Sequence, residues 1–477
     1  MEYFAFLTAA TAAIAFLALV LYQRHRDLGV LLATGALYYW SLYGAWFLVI
    51  DKLGGFSGKN YHYLEYKLFP VSLDGNYLLS LALYAGFILV AQLTVLLSTK
   101  RARERPLPPL VLRHEPILLI AFLAAAGSIL IIRDKLSAAW ALNTSAYWYT
   151  RSQTDEWFTL HQVLNRVALI PAAIGFAILL AGKRSRTFRS AGGRYVVAGY
   201  LVLGAGMGVF TFVLGNKNEV FVAFVTGVLA YLASVRRPNV FKVATVMVAG
   251  MWFLYAIDFF RAVPLSDLQQ VVSEQIDQAN EVGRFVTSSN EAYAAHFSMY
   301  GVLAANVEPR FAYSLYALAC SIVPRALWPD RPLDIYFYYS EKVGALEGQG
   351  YSLHHATGWY LNFGAAGVLL GGLVLGLVWS WCLRARSLLT AKSNLLARVM
   401  AYVAPWVFAA YLPPLIRAGP EGYKGFIVEG MLIPLCVLTL ACRPSNRRKQ
   451  IVWRERPLWT PEAPPPRVVA PIGEAQS

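Results

Sequence analysis

The chain has 477 residues, of which 57% are apolar and only 14% charged, whereas about a quarter of a soluble domain is charged. That excludes a string of soluble domains and suits helices that satisfy their own backbone hydrogen bonds in lipid. The formal charge of +15 would suit nucleic acid, but the placement of the basic residues accounts for it differently.

Apolar stretches of about 20 residues, the length that crosses a bilayer, predict spans at 3–22, 28–50, 77–98, 117–132, 158–182, 195–214, 220–235, 243–260, 358–383, 399–416 and 426–442. The expected fold is all-α, a polytopic integral membrane protein of about eleven transmembrane helices. The connections 23–27, 99–116, 183–194, 236–242, 384–398 and the tail from 443 hold 26 of the 42 Lys and Arg, against 6 carboxylates. Every second connection is therefore basic, as the positive-inside rule requires if those six face the cytoplasm. The charge is a topology signal and no nucleic-acid partner is expected. The N-terminus is placed outside and the C-terminus inside. Residues 3–22 read as a signal-anchor, because the positive charges follow the stretch instead of preceding it.

Four units follow: transmembrane helices over 1–260, a large external loop over 261–357, further transmembrane helices over 358–442, and a basic, Pro-rich tail over 443–477 expected to be disordered. Within the loop, SDLQQVVSEQIDQANEVGRFV is polar and helix-compatible. FAYSLYALACSIV (311–323) is apolar but too short to span, which fits an interfacial or re-entrant helix. PRALWPDRP then packs three prolines into nine residues, a stiff platform at the membrane surface. The GAGMG run at 204–208 falls inside a predicted span and reads as helix packing.

No Walker A, HExxH, GxSxG or DxD is present, and Cys320, Cys382, Cys436 and Cys442 show no paired spacing. Neither a disulfide framework, a metal nor a cofactor is expected. What remains is an external surface rich in Arg and aromatic residues. Arg325 and Arg331 flank Trp328 and Asp330; Arg forks grip phosphate oxygens, and Trp stacks on sugar rings. The bland alternative seats Arg325 at lipid headgroups and pairs Arg331 with Asp330 or Asp334. Polar groups inside spans are expensive and usually functional, which singles out Arg166, beside Asn165 and near His161. Lys217 and Glu219 form a turn, Asp258 and Arg261 close a span, and Arg417 and Glu429 lie near its outer face. Each could equally be an interfacial charge or a structural ion pair. Glu291 and His296 sit in NEAYAAHFSMYG, and His354 and His355 precede a Gly-bearing span whose Gly364, Gly367 and Gly371 form a small-residue stripe.

SIVPRALWPDRP (321–332), followed by ATGWYLNFGAAGVLLGG (356–372) and preceded by NEAYAAHF, resembles the bacterial O-antigen polymerases, the oligosaccharide repeat-unit polymerases of surface polysaccharide and exopolysaccharide. The likeness covers 285–375 by motif and the whole chain by topology. Related O-antigen ligases carry His-Asn before a similar span; this chain has His-His-Ala, which favours polymerase over ligase. The resemblance implies glycosyl transfer outside the bacterial cytoplasmic membrane from a glycan on undecaprenyl diphosphate to a lipid-linked repeat unit. A chain-length regulator and a flippase are candidate partners. Such a reaction needs cations for the leaving diphosphate and a base for the attacking hydroxyl. The expected base is His355, with Glu291 and His354 as alternatives. Arg325, Arg331, Trp328, Asp330, Arg166, Lys217, Arg261 and Arg417 are the expected substrate-binding residues. A ligase, another polyprenyl-dependent glycosyltransferase and a lipid-linked glycan transporter remain alternatives.

Overall fold

Apolar runs with a polar cap at the entrance become helices here. The structure, a computed structural model, describes residues 2–52, 72–99, 110–141, 157–181, 191–214, 217–235, 241, 245–250, 252–253, 291–321, 323, 327–344, 352–385, 393–444 and 452–453. The first predicted span is α1 (Glu2–His25). The second is α2 (Leu28–Tyr38), a π-helical turn (Tyr39–Tyr43) and α3 (Gly44–Lys52). Then come α4 (Gly75–Ser98), α5 (His114–Ala141), α6 (Phe158–Ala181), α7 (Ala191–Val213) and α8 (Asn218–Ser234). Most of the predicted span 243–260 lies outside the described residues. The long connection carries α9 (Glu291–Ala304), α10 (Tyr313–Cys320) and α11 (Ile335–Lys342). The chain returns through α12 (His355–Arg384), α13 (Leu395–Ile416) and α14 (Gly422–Ala441), the last containing a second π-helical stretch, Gly425–Leu432.

Eight of the described helices are long and apolar enough to cross a membrane: α1, α4, α5, α6, α7, α12, α13 and α14. The π turn divides the 28–50 segment, and α8 has 17 residues, so neither reaches that length. Asp27, Asp74, His354 and Asn394 cap α2, α4, α12 and α13 by accepting first-turn N–H groups that a helix cannot satisfy itself.

The two classes of connection touch only their own kind in the contacts that follow. On the basic side His25 reaches Thr99 Oγ1 at 2.9 Å, and β1 (Leu110–Leu112) pairs antiparallel with β2 (Cys442–Pro444) and β3 (Val452–Trp453). Thus the tail, expected to be disordered from 443, begins as strand, because β1 offers it backbone partners. On the other side Tyr300 donates to Asp74 Oδ2 at 3.1 Å, Arg417 to Ser352 Oγ at 3.3 Å, and the Ile335 N–H to Glu421 at 3.0 Å.

The glycines of 364–376 have separate duties, which replaces the expected single stripe. A Cβ on Gly372 would come within 2.6 Å of the Phe87 carbonyl oxygen, and one on Gly376 within 2.6 Å of that of Ala91, so these two bring α12 against α4. Gly367 and Gly371 make room for Trp359 of their own helix. Gly364 sits at φ +64°, where α12 breaks after Phe363, a conformation open to glycine. In the GAGMG run a Cβ on Gly208 would meet the Phe253 ring at 3.8 Å, and one on Gly204 or Gly206 would meet nothing within 4 Å among the described residues.

Candidate functional site

Three polar groupings stand out against the apolar bundle. The first is a hub of buried histidines. His296 Nδ1 lies 2.6 Å from the Ser41 carbonyl, which can only accept, so His296 donates there; its Nε2 accepts from Tyr77 Oη at 2.8 Å. His354 Nδ1 accepts the Ala356 N–H at 3.0 Å, which leaves Nε2–H to donate to Ser41 Oγ at 3.0 Å. Trp359 Nε1 donates to His355 Nε2 at 3.1 Å, so His355 Nδ1–H donates to the Ala418 carbonyl at 2.8 Å. Ser298 links the group by accepting the His354 N–H at 3.1 Å and meeting Thr357 Oγ1 at 2.9 Å. The hub joins α4, α9, α12 and the π turn that offers Ser41. A π turn rotates side chains out of helical register and is common where a helix serves a polar site.

All three rings are at most 1% exposed, and every ring nitrogen has a partner. In this arrangement neither His355 nor His354, the expected bases, has a ring nitrogen without a partner. Burial lowers the His296 imidazole to about 4, against a smaller opposing effect of its bond to the Ser41 carbonyl. Glu291, the other candidate base, opens α9.

The second grouping is a charge cluster. Arg166 of α6 bonds Glu429 through Nη1 and Glu219 of α8 through Nη2 at 3.4 Å. Lys424 reaches the other Glu429 oxygen at 3.6 Å, and the Arg166 guanidinium lies 5.6 Å from the Tyr411 ring centre. Two cations balance two carboxylates, and the second π-helical stretch carries Glu429. Glu219 Oε2 is buried without a partner. Arg166, an expected substrate-binding residue, is engaged internally by two carboxylates here. Beside it Ser128 Oγ bridges His161 Nδ1 at 2.7 Å and Asn165 Oδ1 at 2.8 Å, fixing α5 to α6.

The third grouping is the loop surface, seated where α12 breaks. The break leaves helix carbonyls without N–H partners, and the Arg310 N–H bonds that of Leu361 at 2.6 Å. Asn362 accepts the Ser314 N–H at 2.7 Å and donates to Ser314 Oγ at 2.8 Å and the Gly358 carbonyl at 2.6 Å. Here α10 carries outward-facing Leu315 and Tyr316, beside Phe311. Arg331 Nη1 donates to the Ser321 and Val323 carbonyls at 3.0 and 2.9 Å, closing the turn after α10. These bonds of Arg331, an expected substrate-binding residue, hold the loop. Trp328 and Asp330 are exposed.

Arg417 lies 5.3 Å from the Trp40 ring centre and donates to Ser352. Lys217 precedes α8. Arg325 and Arg261 lie outside the described residues, as do Asp258 and the polar segment 266–286. The structure brings Arg166, Glu219, Glu429 and Lys424 together, and separately His296, His354 and His355; Arg331 belongs to neither group.

Sequence reasoning missed Arg310, Glu421 and the surroundings of Asp334. Arg310 stacks on the Tyr338 ring, 4.0 Å from its centre, and lies 5.5 Å from that of Tyr313. Tyr338 is held by donating to the Glu308 carbonyl at 2.8 Å, and Tyr313 by donating to that of Leu333 at 2.9 Å. Glu421 is buried under α11, with Oε1 accepting the Ile335 N–H and Oε2 without a partner. Desolvation first, and then the nearby Asp334 carboxylate, raise Glu421 to about 7. The sequence signals were slight, a Pro beside each of Arg310 and Glu421 in EPR and GPEG.

Among the described residues no group of three or more His, Cys, Asp or Glu side chains is placed to hold a metal ion. Together these features define a multi-span helical membrane protein with a helical loop docked on a broken span. No family model, curated protein or solved structure matches the chain.

Proposed function

We propose that this protein is a membrane glycosyltransferase that polymerises undecaprenyl-diphosphate-linked repeat units at the external face of the bacterial cytoplasmic membrane. In this reading about eleven helices cross the bilayer, and the 261–357 loop faces outward. The observation that carries it is the SIVPRALWPDRP element, which follows α10 in a loop anchored to the break in α12. Supporting it, the loop presents Phe311, Tyr316, Leu327 and Trp328 at its surface. Aromatic residues of this kind favour the headgroup level and stack on sugars. Both substrates hang from lipid tails, so the reaction belongs at that level. Arg325, Trp328 and Asp330 meet the diphosphate and glycan.

The test is polymerisation in vesicles supplied with lipid-linked repeat units. Arg325→Ala should abolish polymer while single repeat units persist, and Arg325→Lys should recover little, because a point charge does not replace a bidentate fork. Normal polymer from both variants would remove Arg325 from the site, and no polymer from the unaltered protein would remove the function. A reporter after Asn280 should read as external and one at Gly193 as cytoplasmic; the reverse would overturn the orientation. The Arg166–Glu219–Glu429 cluster, two of whose members lie in helices able to span and the third in the shorter apolar α8, favours a second reading as a lipid-linked glycan transporter. Transfer of labelled repeat units across the vesicle membrane without polymer would establish that alternative.

A further inference from the structure

The histidines have no free nitrogen, Arg166 is neutralised by carboxylates, and Arg331 is spent on backbone carbonyls. The surface around Tyr313 is different. Arg310 is exposed, and among the described residues its guanidinium makes ring contacts but no hydrogen bond or ion pair. It is also held in place. Its backbone is tied to Leu361, the ring beneath it is anchored through Tyr338 Oη, and the neighbouring ring through Tyr313 Oη. An exposed guanidinium held over a fixed ring is prepared for the oxygens of a phosphate.

The same tyrosine leads to a pair of carboxylates. Tyr313 Oη bonds the carbonyl of Leu333, whose neighbour Asp334 is exposed at the start of α11. The next amide, Ile335, is held by buried Glu421. Tyr313 therefore connects the two parts: its ring centre lies 5.5 Å from the Arg310 guanidinium, and its hydroxyl holds the carbonyl next to Asp334 at 2.9 Å.

We infer that this surface is the reaction centre of the proposed polymerase, with Arg310 receiving the leaving diphosphate, Asp334 accepting the hydroxyl proton, and Glu421 positioning Asp334 from below through the Ile335 amide. The inference rests on the proposed function and adds residues that the sequence did not suggest. In the step, the acceptor oxygen attacks the anomeric carbon and forms the new glycosidic bond. The bond from that carbon to the diphosphate oxygen breaks, and its electron pair leaves on the diphosphate beside Arg310. The hydroxyl proton passes to the Asp334 carboxylate, so charge and atoms balance without a metal or a second reactant. The groups facing Glu421 are Asp334 and the Ile335 amide from the start of α11, Ser314 and Tyr313 from α10, and the Ala418–Gly419 segment that also receives His355.

Two measurements on the full chain in nanodiscs and vesicles test this. The first is equilibrium binding of farnesyl diphosphate, with inorganic pyrophosphate and phosphatidylglycerol nanodiscs as separate arms. Arg310→Ala should weaken farnesyl diphosphate binding at least about tenfold, and Arg310→Lys should restore little of it. An equal loss against phosphatidylglycerol alone would reassign Arg310 to ordinary headgroups and overturn the inference. The second is the polymerisation rate against pH. Asp334→Asn should lower the maximal rate by about a hundredfold or more, the usual size of a general-base loss, while farnesyl diphosphate still binds. Glu421→Gln, which keeps an acceptor for the Ile335 N–H, should run near the wild-type rate, whereas Glu421→Leu, which removes it, should lower kcat while KM and farnesyl diphosphate binding stay nearly unchanged, a split and a conservative rescue that a general loss of folding would not produce. A chain that polymerises while Arg310→Ala and Asp334→Asn both run at the wild-type rate overturns this centre and leaves the function standing. A wild-type chain that makes no polymer, yet binds farnesyl diphosphate through Arg310, overturns the function and the proton step and keeps the anion site.

Discussion

Replacing Arg166 with Met removes the one side chain that joins Glu219 to Glu429. Lys424 still reaches Glu429 at 3.6 Å, but Glu219 would lose its ion pair with Arg166, and its other oxygen already has no partner. Removing one member of a buried pair strands a desolvated charge and costs about 3–5 kcal/mol; the Lys424 contact places Arg166→Met toward the lower end. The assay is reversible unfolding in mixed micelles as SDS is titrated, followed by tryptophan fluorescence. Adding Glu219→Gln removes the stranded charge, so the double variant should be more stable than the sum of the single effects by about 1–3 kcal/mol. Arg166→Met within about 0.5 kcal/mol of wild type, the range of an ordinary surface change, would refute the account of a closed structural cluster. Loss of farnesyl diphosphate binding with stability intact would return Arg166 to the substrate.

Gly376→Val should loosen α12 from α4 and cost about 1–3 kcal/mol as overpacking, read as a lower SDS midpoint; an unchanged midpoint would mean the helices do not meet as described. Asn362→Leu strands the Ser314 N–H, at about 1–3 kcal/mol, and should speed protease nicking near residues 305–325 while the spans stay protected. His355→Gln should lower thermal stability and leave the pH dependence of polymerisation unchanged; a displaced profile would restore His355 as base. His296 is held at about 4 when folded, against an ordinary value near 6.5. Between those values the unfolded chain binds the proton more readily, so stability is full above about 6.5 and falls as pH drops toward 4. His296→Asn should flatten that acid loss in unfolding midpoints taken from pH 7 to 4.

The periodicity of polar interruptions predicted ten helical segments that the structure contains, within a few residues, because each crossing must be a continuous apolar helix whatever its neighbours do. It also anticipated that 311–323 would be too short to cross. The π turns at Tyr39–Tyr43 and Gly425–Leu432 were not legible. They add a residue to a helical turn, and local pattern alone does not mark where packing makes that favourable. The same limit applies to the histidines. Their place beside a Gly-bearing span suggested a site, but whether a ring nitrogen is free depends on Ser41, Tyr77, Trp359 and Ala418, which lie on other elements.

The sequence by itself determined the membrane class, the helix spacing, the alternation of basic connections and the presence of a stiff Arg- and aromatic-rich loop. Composition and local hydropathy govern each of these. Only the tertiary structure decided which charges are spent and which remain available. Arg166, Arg331 and Arg310 are chemically identical guanidiniums. One is neutralised by two carboxylates, one bonds a turn, and one is exposed and stacks on a ring. That difference arises from residues more than fifty positions away for Arg166 and from the break at Gly364 for Arg310. A buried polar group must find partners wherever packing brings them, and no local pattern contains that information.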